Sequence, residues 1–416
     1  MRVLHLSLTD FRNYASAEVA LARGPNLFVG SNGQGKTNLV ESLGYLASLG
    51  SHRVSSDAAL IRQGTDSAIV RARLEAGDRE LLAEVQINRS SPNRAQVNRG
   101  AVKPRELPRY FTSVLFAPED LALVRGEPSG RRRFLDELLV TRSPRFAGVQ
   151  SDYERVLKQR NTLLKSARAS GVKANQLSTL DIWDERLVTL GSEIIVARDQ
   201  LVADLAPEAA RSYAAVAGED HAARLSTVLS IRGSVPDDET TAAEAPSESI
   251  PPAQVAEVFR EALARVRPSE LDRGLTLVGP HRDDLFLSLN GLPARGYASH
   301  GESWSFALAL KLASAAVVRA GSATGDPVIV LDDVFAELDG SRRERLADAV
   351  ADYEQVLITA AVEGDVPARL KAHTVRIAKG TIVEQPEAAA PEEAQPASPT
   401  EEPAPEAAPS DEAAPG

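Results

Sequence analysis

The chain has 416 residues, enough for about two or three domains, and 43% of them are hydrophobic, which is sufficient for a sizeable core. It has no cysteine, which excludes disulfides and thiolate metal sites. It has no N-terminal apolar run typical of a signal peptide and no apolar stretch approaching roughly 18 residues, which argues against a membrane span. We therefore expect a cytoplasmic protein. The net charge of −11 argues at first against nucleic-acid binding, but residues 385–416 hold eight acidic side chains and no basic one, so the rest of the chain is close to neutral and can carry a basic face.

Residues 1–145 are predicted to form an α/β lobe. Apolar and polar residues alternate in residues 3–8, as in a strand with one buried face, and a turn is expected at residues 11–14. Residues 129–136 are predicted to be a loop that enters a helix. Further strands are predicted at residues 19–21, 26–29, 67–74, 81–88 and 114–116.

The most specific motif of this lobe has the form G-x-x-x-x-G-K-T of a P-loop and consists of Gly30, Ser31, Asn32, Gly33, Gln34, Gly35, Lys36 and Thr37. A short apolar strand precedes the motif and apolar residues at helical spacing follow it. Its backbone N–H groups are therefore expected to face an anion at the positive end of a helix dipole. In such a loop Lys36 reaches the β- and γ-phosphates and the Thr37 hydroxyl binds Mg²⁺. We predict that the chain binds ATP and Mg²⁺.

Residues 146–270 are predicted to be helical. Apolar residues share one helical face in residues 153–164, form an a/d-like seam of about three heptads in residues 183–205, and recur at helical spacing in residues 255–266. Residues 233–252 are rich in proline, serine and acidic residues and are predicted to be a disordered insert. The helical segment is either a short antiparallel arm or lid, or an ordinary subdomain packed on the lobe, and the pattern leaves both open.

Residues 271–384 return to strand patterns. A long helix is predicted over residues 303–320, and Asn290-Gly291 is a strong hairpin-turn signal. Residues 385–416 lack large apolar side chains, cannot offset the entropy of ordering, and are predicted to be a disordered acidic tail without a catalytic role. Strands are predicted at residues 275–278, 285–289, 328–331, 356–358, 375–377 and 381–383.

A P-loop needs an acidic partner on a neighbouring strand. Residues 328–331 are all apolar and are followed by Asp332 and Asp333, which is the Walker B arrangement. Asp332 is expected to hold Mg²⁺ through water, and Asp333 to orient the attacking water. An acidic helix cap also explains such a pair, but the P-loop upstream favours the catalytic interpretation. We therefore assign catalysis to Lys36, Asp332 and Asp333.

Residues 299–303, Ser-His-Gly-Glu-Ser, open the long predicted helix and resemble the signature sequence of ABC-type ATPases, and residues 336–339 resemble their D-loop. A Ser-x-Gly turn at a helix N-terminus presents N–H groups to a γ-phosphate. In that superfamily the phosphate belongs to the opposite subunit, so the resemblance implies that Ser299 and Gly301 bind the nucleotide of a second copy in an ATP-dependent homodimer. His300 and Glu302 depart from the usual Gly and Gln, and an ordinary capped helix is the alternative.

Lys36 and Asp332 are 296 positions apart in sequence, which exceeds what a single compact P-loop domain needs. The simplest interpretation is an α/β fold in which one ABC-type ATPase head is split in sequence. Residues 1–145 and 271–384 are then its two parts, and the helical segment is inserted between them. Both ends of the chain must meet to complete the sheet.

Over nearly all of residues 1–384 the chain resembles the RecF family, DNA-repair ATPases of the ABC/SMC-like group. The order and spacing of several motifs together make this resemblance specific. The insert at residues 233–252 and the acidic tail are not part of the family pattern. The resemblance is carried by residues 6–8, 11–14, 30–41, 51–53, 116–121, 126–128, 131–136, 153–164, 279–284 and 331–339.

The resemblance implies a cytoplasmic ATPase that dimerises on ATP and binds DNA at single-strand gaps and at junctions of single-stranded and duplex DNA. It implies RecO and RecR as partners, help in loading RecA, and roles in DNA replication, recombinational repair and the SOS response. Asp333 stands where many relatives have a longer Glu, which predicts a weak ATPase suited to timing. The nucleotide-binding subunit of a transporter, another SMC-like ATPase and a small-molecule P-loop kinase are the competing interpretations.

Some further residues are assigned by resemblance. In SMC-like heads Arg12 and Asn13 would approach the phosphates, although a turn residue and a surface arginine explain them too. Thr359 would be a polar switch residue, or a plain strand-end threonine. His281 beside carboxylates suggests a metal ligand, but a turn stabilised by Asp and Arg is the better interpretation.

DNA contacts are expected where positive charge can reach phosphates. A dense run of arginines is the first candidate, together with one arginine after a small polar loop. Such a run is more often a solvated face, so both interpretations stay open. The candidate residues are Arg53, Arg131, Arg132 and Arg133.

Overall fold

The structure is a computed structural model that describes residues 1–171, 178–218, 221–233 and 249–384. The predicted insert at residues 233–252 lies mostly outside these ranges, and the predicted tail at residues 385–416 lies entirely outside them. Within these ranges the fold is α/β, as predicted, and its strands form three sheets.

The first part of the chain supplies most strands of the fold. Its elements are β1 (Arg2–Phe11), β2 (Tyr14–Ala20), β3 (Gly24–Val29), α1 (Lys36–Ser48), β4 (Ser67–Ala76), β5 (Arg79–Asn88), β6 (Arg94–Val97), β7 (Gly100–Val102), β8 (Ser113–Phe116), α2 (Leu121–Arg125) and α3 (Pro128–Arg142). The predicted loop at residues 129–136 is wrong, because α3 already begins at Pro128, a residue whose missing N–H and fixed φ suit the first helical position.

The middle of the chain is mainly helical. It contains α4 (Phe146–Ser170), α5 (Ser178–Ala217), β9 (Arg224–Val228) and α6 (Val255–Arg273). The last part contains β10 (Asp284–Leu289), β11 (Leu292–Pro293), α7 (Ala294–Tyr297), α8 (His300–Gly321), β12 (Val328–Asp332), α9 (Gly340–Val350), β13 (Gln355–Ala360), β14 (His373–Ala378) and β15 (Thr381–Glu384).

The central sheet is built from both ends of the chain, in the order β15-β14-β3-β13-β12-β8. All neighbouring strands are parallel except the β14–β15 hairpin. Strands β3 and β8 come from the first part and the other four from the last part, which confirms the split ATPase head. The two parts are also joined by Val3 and Gln355, because the Val3 N–H donates to Gln355 Oε1 (2.8 Å) and Gln355 Nε2 donates to the Val3 carbonyl (2.8 Å).

Both faces of this sheet are covered, which explains why its strands are continuous apolar runs. Every residue of β12 and β13 is buried. Val328 and Val330 belong to the core that contains α1, whereas Ile329 and Leu331 pack with α8 and α9 on the opposite face. A second sheet, with the order β2-β1-β4-β5-β6-β7, is antiparallel throughout and shares the α1 core. Strand β7 lies at its edge.

Strand β9 lies inside the span predicted to be helical, so that part of the prediction is wrong. It pairs antiparallel with β10 in a three-stranded sheet, β11-β10-β9. Helix α5 packs along α8, where the Tyr213 and Phe306 rings meet edge to face with centroids 5.7 Å apart. This contact favours a subdomain packed on the head over a projecting arm.

A buried arginine joins the helices of this subdomain. The Arg160 side chain is fully buried, and its Nε and Nη2 each donate to a carboxylate oxygen at 2.6 Å, of Asp184 on α5 and Glu270 on α6 respectively. Its Nη1 donates to Thr276 Oγ1 at 2.8 Å. Each nitrogen of the guanidinium therefore donates one hydrogen bond, and Glu270 has Arg160 as its cationic partner, whereas Asp184 also pairs with Arg267.

Replacing the arginine by an apolar residue tests this dependence. Arg160→Met leaves the buried Glu270 without its cationic partner and Asp184 with Arg267 alone, and is expected to lower the free energy of unfolding by about 3–5 kcal/mol. Urea denaturation followed by circular dichroism measures the change. The control Arg186→Met, at an exposed position of α5, is expected to have little effect. Equal stability of the two variants would contradict a structural role for the buried network.

Candidate nucleotide-binding site

The predicted P-loop lies between the end of β3 and the start of α1, and its shape requires glycine at two positions. A Cβ atom at Gly30 would lie 2.3 Å from the Ile377 carbonyl oxygen. Gly35 has a φ of +115°, and a Cβ atom there would lie 2.7 Å from Asn13 Nδ2. The first N–H groups of α1 have no intrahelical acceptors and are available to an anion. The loop is thus a close-fitting cradle for phosphate.

Two turns from distant parts of the chain hold the loop. Asn13 Nδ2, in the β1–β2 turn, donates to the Gln34 carbonyl at 3.0 Å. The Gly380 N–H, in the β14–β15 turn, donates to the same carbonyl at 3.0 Å. Tyr14 OH donates to the Gly35 carbonyl at 3.1 Å. Asn13 therefore contacts the loop backbone, and its contact with phosphate stays a prediction.

The P-loop and Walker B residues meet directly. Thr37 Oγ1 donates to Asp332 Oδ1 at 3.0 Å, and Thr359 Oγ1 donates to the same oxygen at 2.6 Å. Lys36 is buried, with Nζ 3.4 Å from the Ser31 carbonyl oxygen. The Asp333 N–H donates to Thr359 Oγ1 at 2.9 Å. Thr359, on the strand between β3 and β12, thus contacts both acidic residues.

Burial is the main cause that raises the pKa of Asp332 to about 6, while hydrogen bonds from Thr359 and Thr37 act in the opposite direction. Asp333 has a left-handed backbone with a φ of 52°, which turns the chain sharply after β12 and leaves its side chain partly exposed. Neighbouring acids therefore differ in environment: one is buried against the P-loop and the other borders the solvent.

The residues fit a nucleotide with Mg²⁺. Hydroxyl and carboxylate oxygens meet at Thr37 and Asp332, the donor type that Mg²⁺ prefers, and the glycine cradle lies beside them. Among the described residues no group of three or more His, Cys, Asp or Glu is arranged to hold a metal.

Glu41 is a site residue that the sequence analysis missed. Its carboxylate is fully buried on α1 and accepts hydrogen bonds from Arg12 Nε (2.8 Å) and Nη2 (2.6 Å) and from Ser51 Oγ (2.5 Å). Arg12 is therefore directed to α1, and its predicted phosphate contact stays a prediction. The sequence did contain a signal for this role, because Glu41 is four positions after Thr37 and therefore lies on the same face of the helix.

The predicted signature segment caps α8. Ser299 Oγ accepts from the Glu302 N–H (3.3 Å), and Glu302 Oε2 accepts from the Ser299 N–H (2.7 Å). A Cβ atom at Gly301 would lie 3.1 Å from the guanidinium of Arg342, which donates to Asp339 of the D-loop-like segment at 2.6 Å. No described hydrogen bond joins Ser299 or Gly301 to the P-loop of the same chain. Their contact with a second copy's nucleotide stays a prediction.

Helix α8 is the one helix in the described part of the chain that is long and apolar enough to cross a membrane. It lies inside the fold, with 72% of its apolar stretch buried against neighbouring elements. This burial is that of a core helix.

The candidate DNA contacts are largely engaged within the protein. Arg131 is a wrong prediction, because its side chain is buried and makes a bidentate ion pair with Asp284 (2.8 and 2.7 Å). Arg132 donates to the Asp283 carbonyl at 2.7 Å, and Arg133 is exposed but pairs with Glu137, one helical turn away. Arg131 and Arg132 therefore connect α3 to the start of β10, and Arg133 makes an ion pair within α3.

Arg53 and His281 are also held by neighbours. Arg53 Nη1 donates to Asn38 Oδ1 at 2.9 Å and lies 3.7 Å from Glu41. His281 Nδ1 contacts the Tyr153 hydroxyl at 2.8 Å, and burial lowers the pKa of its ring to about 3. His281 is therefore a neutral residue of a buried turn, which agrees with the preferred interpretation of its motif.

The parallel sheet with a P-loop and a Walker B strand, the capped α8 and the inserted helices define an ABC-type ATPase head of the SMC-like class. A solved SMC head bound to the C-winged helix domain of ScpA shares the fold, with a TM-score of 0.50 at 13% identity over 92% of this chain and 96% of that chain. The family model described as RecF/RecN/SMC N terminal domain matches residues 2–381.

The chain belongs to the RecF family. It is 65% identical over 405 residues to the DNA replication and repair protein RecF of Clavibacter sepedonicus, covering 96% of this chain and 99% of that protein. It is 67% identical over 384 residues to the protein of that name from Leifsonia xyli subsp. xyli, covering 92% and 100%. A solved structure of the recombination mediator protein RecF-ATP in the RecFOR pathway matches with a TM-score of 0.80 at 26% identity, covering 92% and 97%.

The glycine cradle generates a test. Gly30→Ala introduces a Cβ atom against the Ile377 carbonyl, so the loop must shift, and we expect ATP binding at least about tenfold weaker. Titration of a fluorescent ATP analogue measures this. Gly44→Ala is the matched control, because its Cβ atom meets nothing within 4 Å and alanine favours the helix. Wild-type affinity in Gly30→Ala would contradict the close fit.

Proposed function

We propose that this chain is an ATP-dependent DNA-binding protein of recombinational repair and a weak ATPase. It binds ATP with Mg²⁺, dimerises with a second copy, and acts at single-strand gaps or at junctions of single-stranded and duplex DNA. It works with RecO and RecR to help load RecA in the cytoplasm, in DNA replication, repair and the SOS response. The names of its relatives support the repair role, and the RecFOR context of the solved RecF-ATP structure supports these partners.

The observation that carries the proposal is the contact of Thr37 with Asp332 beside the glycine cradle. The two motifs are 295 residues apart in sequence and form one site in the fold. Such a site has the parts that bind a nucleoside triphosphate and polarise its terminal phosphate. Mg²⁺ bound there would neutralise charge that develops on the phosphates during hydrolysis.

The residues of the site take separate roles in this proposal. Lys36 and the first N–H groups of α1 bind the phosphates. The Asp333 carboxylate orients a water and accepts its proton, and its partial exposure gives water access. Thr359 hydrogen-bonds to Asp332 and to the Asp333 N–H, so it fixes the two acids relative to each other.

The dimer follows from the remaining motif. The N-terminal end of α8 carries a helix dipole and exposed Ser299, but no described contact joins it to its own P-loop. A second copy that brings its P-loop to this end would complete both sites. A transporter subunit and a P-loop kinase lose support, because the chain belongs to the RecF family and most of its length matches RecF relatives.

Lys36→Ala tests phosphate sensing. The variant loses a charge-assisted hydrogen-bond donor to phosphate, so we expect roughly tenfold or weaker ATP binding and no ATP-dependent dimer. Analytical ultracentrifugation with and without ATP measures the dimer. Lys165→Ala, at an exposed position of α4, serves as the control and should dimerise like wild type. An unchanged dimer in Lys36→Ala would overturn the proposal.

Asp333→Asn tests hydrolysis. The substitution keeps the side-chain size and removes the proton acceptor, so we expect hydrolysis about 10² times slower or more, with a longer-lived ATP dimer and longer DNA residence. Phosphate release and dimer lifetime are measured together. The exposed Asp352→Asn variant should match wild type. Faster release of the dimer in Asp333→Asn would contradict the assigned role.

A further inference from the structure

Six cations in residues 89–109 form a surface that the nucleotide site does not use. We name it the basic edge, and it consists of Arg89, Arg94, Arg99, Lys103, Arg105 and Arg109. All six are exposed. The one acidic residue in this stretch of sequence is Glu106, which accepts from the Lys103 backbone N–H at 3.3 Å. A chain with a net charge of −11 therefore carries a locally cationic segment.

These six side chains differ from the arginines considered above. In the part of the chain that the structure describes, none of the six has an ion pair with an acidic side chain, and Arg89 donates to the Thr65 carbonyl (3.3 Å). Arg131 and Arg133, by contrast, are paired with Asp284 and Glu137. The cations of the basic edge keep their charge available to an outside anion.

The sheet brings these dispersed residues together. Arg94 begins β6, Arg99 lies in the tight β6–β7 turn, and Lys103 follows β7. Val102 pairs with Ala95, so the chain returns beside Arg94 at Lys103. At about 3.4 Å per residue the hairpin is about 15 Å long. One DNA strand presents a phosphate every ~3.4 Å along the axis, so the edge spans about four phosphates.

Protection of an edge strand is the simpler explanation of the charges of Arg99 and Lys103, which flank β7. It does not account for the sign of the charge, because acids protect an edge as well. Nor does it account for Arg89, Arg105 and Arg109, which lie outside the strand. The basic edge also continues into a groove of about 490 Å³, which Pro108 lines together with Arg132 and Arg133.

The surface is separate from the nucleotide site. Pro108 lines the groove with Ala47 and Ser48, at the C-terminal end of α1, whereas the P-loop precedes the N-terminal end. A helix of 13 residues is about 20 Å long. Substitutions on the basic edge are thus a helix length away from the phosphates of ATP.

We propose that the basic edge binds the phosphate backbone of duplex DNA without reading its sequence. This rests on the proposed DNA binding and adds the surface that contacts the duplex. Residues 89–109 contain no aromatic side chain. Single-stranded nucleic acid is commonly bound by aromatic stacking, whereas cations alone suit the continuous phosphate array of a duplex.

The test is the triple variant Arg99→Gln, Lys103→Gln, Arg105→Gln. We expect duplex binding at least about tenfold weaker near 0.1 M salt, and a log K against log salt slope shallower by about 2–3. ATP affinity and the ATP-dependent dimer should stay as in wild type. The matched control is Lys158→Gln, Lys165→Gln, Arg186→Gln, the same charge change at exposed positions of α4 and α5, which should bind like wild type.

Equal affinity and salt slope in the triple variant and wild type would overturn the assignment, and so would an equal loss in both triple variants. If the basic-edge variant does not fold, as judged by its thermal midpoint, Arg89→Gln with Arg94→Gln and Arg109→Gln replaces it. Loss of poly-L-glutamate binding with unchanged DNA binding would identify a surface for acidic proteins and overturn the DNA assignment. A wild-type chain that binds no DNA would overturn the proposed function itself.

Discussion

The hydrogen bond between Thr37 and Asp332 is the constraint on which the rest of the structure depends. It joins residues 295 apart at 3.0 Å, and the Asp332 side chain is buried. Asp332 ends β12, and Thr37 lies in the first turn of α1, after the loop that follows β3; β13 with its Thr359 lies between these two parallel strands. Because parallel strands present their carboxyl ends at one edge, the P-loop and the acids meet only when both ends of the chain enter one sheet.

That requirement explains the topology of the insertion. The chain leaves the central sheet at β8 and re-enters it at β12, and these two strands are parallel neighbours. The long connection between them contains α2 to α8, so the helical subdomain starts and ends beside the Walker B strand. Helix α5 packs on α8, the helix that carries Ser299 at its N-terminal end. A displacement of the subdomain would therefore also displace Ser299, which is proposed to contact the nucleotide of a second copy.

The sequence predicted the parts whose chemistry is local. The P-loop follows from glycines that a left-handed backbone and close contacts require, and the Walker B strand from an apolar run ending in two acids. The Asn290-Gly291 turn is also confirmed, with positive φ at both residues. The split head followed from the spacing of Lys36 and Asp332 alone.

Features that depend on tertiary contacts were missed or misjudged. Strand β9 is only five residues long and is stabilised by pairing with β10. Its sequence lies between long helical patterns, so the hydrophobic periodicity of the region predicted helix. Arg131 belongs to a dense basic run, yet Asp284 buries it, a partner 153 residues away. The six cations of the basic edge are spaced two to five residues apart and form a surface only after β6 and β7 pair. Sequence density of charge therefore did not reveal that Arg131 is buried in an ion pair.

The central claim is that two copies complete each other's nucleotide sites, and site-specific cross-linking tests it most directly. The chain has no cysteine, so Asn32→Cys beside the P-loop and His300→Cys beside Ser299 are unique labels at exposed positions. The two variants are mixed with a short bifunctional thiol cross-linker, with and without ATP and Mg²⁺. The account predicts an interchain Asn32–His300 cross-link that forms in the mixture and requires ATP. Absence of that cross-link in ATP-bound dimers, or its formation to the same extent without ATP, would contradict the account.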